Sequence, residues 1–186
     1  KHKAYAGSDG CHRADLSSFR LECFALWTAF GPDLRIMLVA SYSAQITALL
    51  TMKTKHELEL SDVKKIAAAA EAEALKHNWA VTIAIVDDGG HLLWLQRLDG
   101  SAPISAHMAP AKARSAALGR KDTKLFEDMI NNGRTAFLSA PYVDGLLEGG
   151  VAIVKDGQCL GAVGVSGVKS VEDAQVASAG IAALGV

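Results

Sequence analysis

The sequence predicts an α+β domain: a single antiparallel sheet made of two β-hairpins with helices, in the order α-β-β-α-α-β-β-α. Two similar segments, "AIVDDGGHLL" and "AIVKDGQCL", each set a turn of Asp and Gly between apolar runs, the pattern of a hairpin. Apolar residues recur at helical spacing before the first hairpin and after the second. Two hairpins most easily share one antiparallel sheet, and helices on one face are the economical way to bury its apolar side.

The 186 residues suit one domain of ordinary size plus an appendage. With 50% hydrophobic and 21% charged residues, a packed core is expected. The net charge of −1 and the 6% aromatic content argue against nucleic acid as a partner. Cys11, Cys23 and Cys159 match no zinc or C-x-x-C spacing, and a Cys11–Cys23 bridge is left open.

Residues 1–52 read as an N-terminal extension to a domain at residues 53–186. Up to about Leu50 they keep no clean helical or strand period. The apolar run Ile36–Leu50 is shorter than the roughly 20 residues of a membrane span. It lies too far from the start for a signal peptide and lacks a clear cleavage pattern. Met52 would make a natural start, which gives a cytoplasmic protein; a leader in the extension would give a secreted one.

Ser61 is the expected cap of the first helix, with Asp62 in its first turn and Val63, Ile66, Ala67, Ala70 and Ala74 on its inner face. His77-Asn78 ends it. Val81, Ile83 and Ile85 alternate with Thr82 and Ala84, Asp87 to Gly90 supply the positive-φ turn, and Leu92 to Leu98 return. Pro110 lacks an N–H and must lie in a first turn or kink the helix; the helix proper is expected over about Pro110 to Leu118, with Gly119 past its end. A short helix follows from Thr123 to Ile130, then a long, mostly uncharged loop of the kind that is usually functional. The second hairpin runs Gly150 to Val154, turns at Asp156-Gly157 and returns over Gln158 to Ser166. Ser170 with Asp173 resembles a capping box, and Ala174, Ala177, Ile181 and Leu184 form the inner stripe of the last helix.

The glycine-rich "GAVGVSG" is neither G-x-G-x-x-G after a βαβ unit nor G-x-S-x-G, and no Walker lysine is present, so no nucleotide cofactor is expected. Gly161 and Gly164 instead suggest close approach by another backbone, a ligand or a subunit. His107 with Met108 pairs an imidazole with a thioether, the usual axial ligands of haem iron. Lys112 and Arg114 place positive charge near a helix start, where it opposes the dipole, which points to an anion or to two solvated side chains. Gly149 and Gly150 follow Glu148 at the mouth of a strand, where their amides face a ligand or form a bulge or bend. His91, after a glycine pair, is expected to be exposed, and Asp87 and Asp88 to build the turn. No His-x-x-x-His pair or acidic cluster offers a protein-only zinc site.

Taken together, "IAIVDDGGHLLWLQRLDG", "AKARSAALGR", "EGGVAIVKDGQCLGAVGVSG" and "SVEDAQVASAGIAAL" resemble the GlcG/HbpS-like family of haem-binding or haem-degrading domains, over Leu58 to Leu184. The resemblance implies a profilin- or PAS-like outline, assembly into dimers or higher oligomers, genes beside catabolic ones, and kinship with the C-terminal domain of a corrinoid adenosyltransferase type. Lys112, Ala113, Gly149, Gly150, Gly164 and Gly167 match the family pattern; His107 and Pro110 depart from it. The leading expectation is an oligomeric protein that binds haem or a related tetrapyrrole, with His107 or Met108 on the iron. Lys112 and Arg114 would meet the propionates, and Glu148–Gly150 would border the pocket. The alternatives are a cofactor-independent lyase, isomerase or hydrolase with a closed pocket of Lys112, Arg114, Tyr142 and Glu148, or an accessory subunit of a catabolic enzyme.

Overall fold

The computed structural model describes residues 54–185, and Lys55–Val186 forms one compact unit. The Cys11–Cys23 pairing, the Ile36–Leu50 run and the Met52 start lie outside the described residues. The elements are α1 (Leu60–Lys76), β1 (Thr82–Asp87), β2 (Leu92–Arg97), α2 (Ser105–Gly119), α3 (Thr123–Asn131), a 3-10 turn (Thr135–Ser139), β3 (Gly150–Lys155), β4 (Gln158–Ser166) and α4 (Ser170–Ala182). Apart from the 3-10 turn inside the expected loop, this is the predicted order. The strands form one sheet in the order β2-β1-β4-β3. Its central pair is antiparallel from Thr82↔Ser166 to Asp87↔Gly161.

Helices cover both faces of the sheet, which corrects the one-face expectation. Alternate residues of a strand point to opposite faces. Ile83 and Ile85 of β1, with Val163 and Val165 of β4, meet Val63, Ile66 and Ala70 of α1 and Val176 and Ala177 of α4. Ala84, Val86 and Ala162 point the other way, onto Ala109, Ala113, Ala116 and Ala117 of α2. β1 is buried on both sides, so both faces need a cover. Gly164 is required beneath α2, because a Cβ there would collide with the Ala109 carbonyl and lie 2.5 Å from the Ala113 nitrogen.

Several helix ends differ from the sequence expectation. α1 begins at Leu60, and Glu59 rather than Ser61 caps it, its N–H donating to Asp62 at 3.3 Å. Asn78 takes the expected left-handed conformation at the other end, φ 56°. α2 begins five residues before Pro110, which lies inside the helix. The early turn is held by buried hydroxyls: Thr82 Oγ1 lies 2.6 Å from Ser105 Oγ, and Ser101 Oγ lies 2.7 Å from Ser105 Oγ. These bonds and the seating of Ala109 on the sheet hold the turn despite the amide bond that the proline removes. Gly119 is the last helical residue, where a Cβ would strike the Phe126 ring of α3; Arg120 takes the left-handed position after it, φ 52°.

Of the four residues in the first turn, only Gly90 has positive φ (79°). The second turn follows expectation, with Asp156 at φ 49° and Gly157 at φ 76°, the type I′ pattern. In α4 the cap is Lys169, whose N–H donates to Glu172 at 3.1 Å; Asp173 turns inward instead of capping.

Candidate ligand-binding site

The expected site residues separate into two groups, and α2 divides them. Lys112 lies on its buried side and Arg114 on its exposed side, since two residues along a helix turn the side chain through about 200°. The reading of a solvated Lys112 is corrected. Its side chain is 4% exposed, and Nζ donates to Asp173 Oδ2 at 2.8 Å and to the Val165 carbonyl at 3.1 Å. Asp173 Oδ1 accepts the Val168 N–H at 3.2 Å. Burial pushes the Asp173 carboxyl above the ordinary carboxylate range, and Lys112 opposes that shift. The pair ties α2, on one face of the sheet, to α4, on the other.

Glu148, Gly149 and Gly150 gather beside this pair. The Glu148 N–H donates to Glu127 Oε2 at 2.6 Å. The Gly150 N–H donates to Thr123 Oγ1 at 2.9 Å, and the Thr123 hydroxyl donates back to the Gly150 carbonyl at 3.3 Å. A Cβ on Gly149 would lie 2.8 Å from Lys112 Nζ. The strand mouth therefore spends the Glu148 and Gly150 amides on α3.

His107 and Arg114 share the outward face of α2, about 10 Å apart along its axis. Both are exposed, and Met108 is half-buried. Arg114 and Leu118 form one wall of an open cleft of about 680 Å³, completed by Gly89, Gly90, His91 and Leu92 of the first hairpin and by Tyr142. That volume falls within the range of small-molecule sites. Among the described residues, no carboxylate lies in ion-pair range of Arg114. Of the residues expected to line a closed pocket, Arg114 and Tyr142 line this open cleft, whereas Lys112 and Glu148 do not. Leu95, paired with Ala84, and Leu92, paired with Val86, share the α2 face of the sheet and extend its apolar surface, at 45% and 52% exposure.

His91 belongs to this cleft, a role that residue-by-residue reading missed. It is as exposed as expected, but its ring is not loose: Nδ1 lies 2.9 Å from Asp87 Oδ2. Asp87 Oδ1 also accepts the Gly89 N–H at 2.9 Å and the His91 N–H at 2.8 Å. Burial raises the Asp87 carboxyl, but the His91 and Gly89 donors outweigh it and hold the group below its usual range. The signal available in the sequence was Asp four residues before His across a glycine pair. Among the described residues, no group of three His, Cys, Asp or Glu side chains could hold a metal ion, and no helix is long and apolar enough to cross a membrane.

A four-stranded antiparallel sheet between helical layers, with the glycine-rich strand β4 in its central pair, defines an α+β domain of the HbpS-like class. The family model described as "Haem degrading protein HbpS-like" matches residues 58–182, and the chain belongs to that family. It is 57% identical over 115 residues to Protein GlcG of Escherichia coli (strain K12), spanning 62% of this chain and 85% of that protein. Among solved structures it is similar to HbpS, with a TM-score of 0.67 and 30% identity over 73% of this chain and 95% of that one. It is also similar to the PduOC:heme complex, with a TM-score of 0.61 and 26% identity over 69% of this chain and 95% of that one.

Proposed function

We propose that this domain binds haem or a related tetrapyrrole in the cleft between α2 and the first hairpin. The observation that carries the proposal is the likeness, over 95% of its length, to a domain solved as a heme complex. The cleft fits such a ligand in kind. It has small-molecule volume, leucines for the macrocycle face, and the Arg114 guanidinium, a fork suited to a carboxylate. Arg114 is the propionate partner. Lys112 acts at one remove, by holding α2 against Gly149 and Asp173. When bound, the tetrapyrrole would supply the iron or other metal; the chain would supply the seat, the Arg114 cation and a ligand to the metal, for which the sequence picks His107, with Met108 next to it.

The proposal extends to the assembly. The edge strand β2 presents Leu92, Leu93 and Leu95 at 52%, 39% and 45% exposure, apolar surface that suits a subunit contact. The test of binding is a haemin titration followed at the Soret band. Wild type is expected to shift the band saturably. Arg114→Ala is expected to weaken binding by about fivefold, roughly 1 kcal/mol for an exposed ion pair. A wild-type protein that leaves the haemin spectrum unchanged overturns the proposal.

A further inference from the structure

The geometry points to His91, rather than His107, as the residue that ligates the metal of a tetrapyrrole in the cleft, with Asp87 as its positioning residue; this rests on the tetrapyrrole proposal. The Asp87 carboxylate is fixed by main-chain N–H groups of Gly89 and His91. A carboxylate held by donors is an acceptor, so the hydrogen bond to the ring assigns the proton to His91 Nδ1. In the neutral ring, Nε2 is then the unprotonated nitrogen. Among the described residues it has no hydrogen-bond partner, and the side chain is 80% exposed at the cleft that it lines. The ring lies over Gly89, where a Cβ would stand 2.8 Å from its Cε1. A carboxylate on one ring nitrogen and a free second nitrogen is the arrangement that metal-ligating histidines use, because it fixes the tautomer and raises ligand basicity.

The donor set narrows the metal's form. One imidazole is a single ligand, and no group of three His, Cys, Asp or Glu side chains forms a protein-only metal site among the described residues. That suits a metal whose equatorial positions are already filled by a macrocycle, as haem iron is. Arg114 lines the same cleft and offers the counter-charge for the macrocycle's carboxylates. His107 has neither advantage. It is not among the residues that line the cleft, and among the described residues no hydrogen bond orients its ring.

The test is haemin titration of the full chain as wild type, His91→Ala, His107→Ala and Asp87→Asn, with folding checked by circular dichroism. Soret position and electron paramagnetic resonance report the axial ligand, and the titration reports affinity. Wild type is expected to show nitrogen ligation. His91→Ala is expected to lose that signature and at least tenfold in affinity, with free imidazole restoring the spectrum. His107→Ala is expected to match wild type. Asp87→Asn is expected to keep nitrogen ligation with a shifted reduction potential and affinity lowered about 10- to 100-fold, as for other outer-shell partners. Wild-type ligation that survives in His91→Ala overturns the His91 assignment and leaves haem binding standing. A wild type that binds no haemin overturns both.

Discussion

The two faces of the sheet are packed on different principles. Toward α1 and α4 the core is built from large β-branched side chains: Val63, Ile66, Ile83, Ile85, Ile153, Val163, Val165 and Val176. Toward α2, every member but Val86 is an alanine, and Gly164 lies directly beneath the helix. The first face is held by apolar volume. The second brings the α2 backbone down onto the sheet, so its contacts are many, short and sensitive to any added atom. The cleft depends on the second. With α2 seated low, Arg114 and Leu118 reach the Gly90 turn: a Cβ on Gly90 would lie 2.9 Å from Arg114 Cγ and 3.5 Å from Leu118 Cγ. The difference teaches that the thick face secures the fold, whereas the thin face places the candidate site.

The contrast can be broken outright with Gly164→Val. Its added atoms have only the α2 backbone to enter, and the expected result is a chain without cooperative thermal unfolding, judged by circular dichroism. Next in size is Lys112→Ala, which cuts the link between the two helical layers. Leaving one partner of a buried pair alone costs about 3–5 kcal/mol at neutral pH, read from urea melts. The pH dependence sharpens this case. Between the ordinary carboxylate pKa and the raised folded value of Asp173, the folded chain holds a proton that the unfolded chain has released, so the Asp173 contribution falls as pH rises through that window. Removing the Lys112 charge widens the window, and the variant should lose stability with rising pH more steeply than wild type.

Ala113→Leu adds volume to the thin face and should cost about 1–3 kcal/mol by overpacking. It should also lower haemin affinity by lifting α2 away from the Gly90 turn, which a titration beside the melt would detect. Ile66→Val removes one methylene from the thick face and should cost only about 0.5–1.5 kcal/mol, with haemin binding unchanged. Equal haemin loss in both variants would erase the distinction between the faces.

Much of the fold was legible in the sequence because hairpins and amphipathic helices are local. Asp156-Gly157 and the Ile83–Ile85 alternation carry their geometry within a few residues, and so does the α1 stripe of Val63, Ile66 and Ala70. Pro110 misled because a local rule, that proline belongs to a first turn, was outweighed by distant partners, the hydroxyl of Thr82 and the floor beneath Ala109. Periodicity had enough information to separate Lys112 from Arg114 on opposite sides of α2, and to align His107 with Arg114. It had none to say that Asp173, 61 residues away, would receive Lys112.

The sequence by itself determined the element order, the second hairpin turn, the inner face of α1, and membership of the HbpS-like family, since each depends on neighbours along the chain or on a linear motif. Only the tertiary structure decided that α2 takes its own face of the sheet, that Lys112 is spent on Asp173, that Glu148 and Gly150 are spent on α3, and that His91 shares a cleft with Arg114 and Tyr142. Those outcomes depend on which surfaces meet. An element's pattern specifies the side it buries, but the partner on that side is set by close packing among residues far apart in sequence.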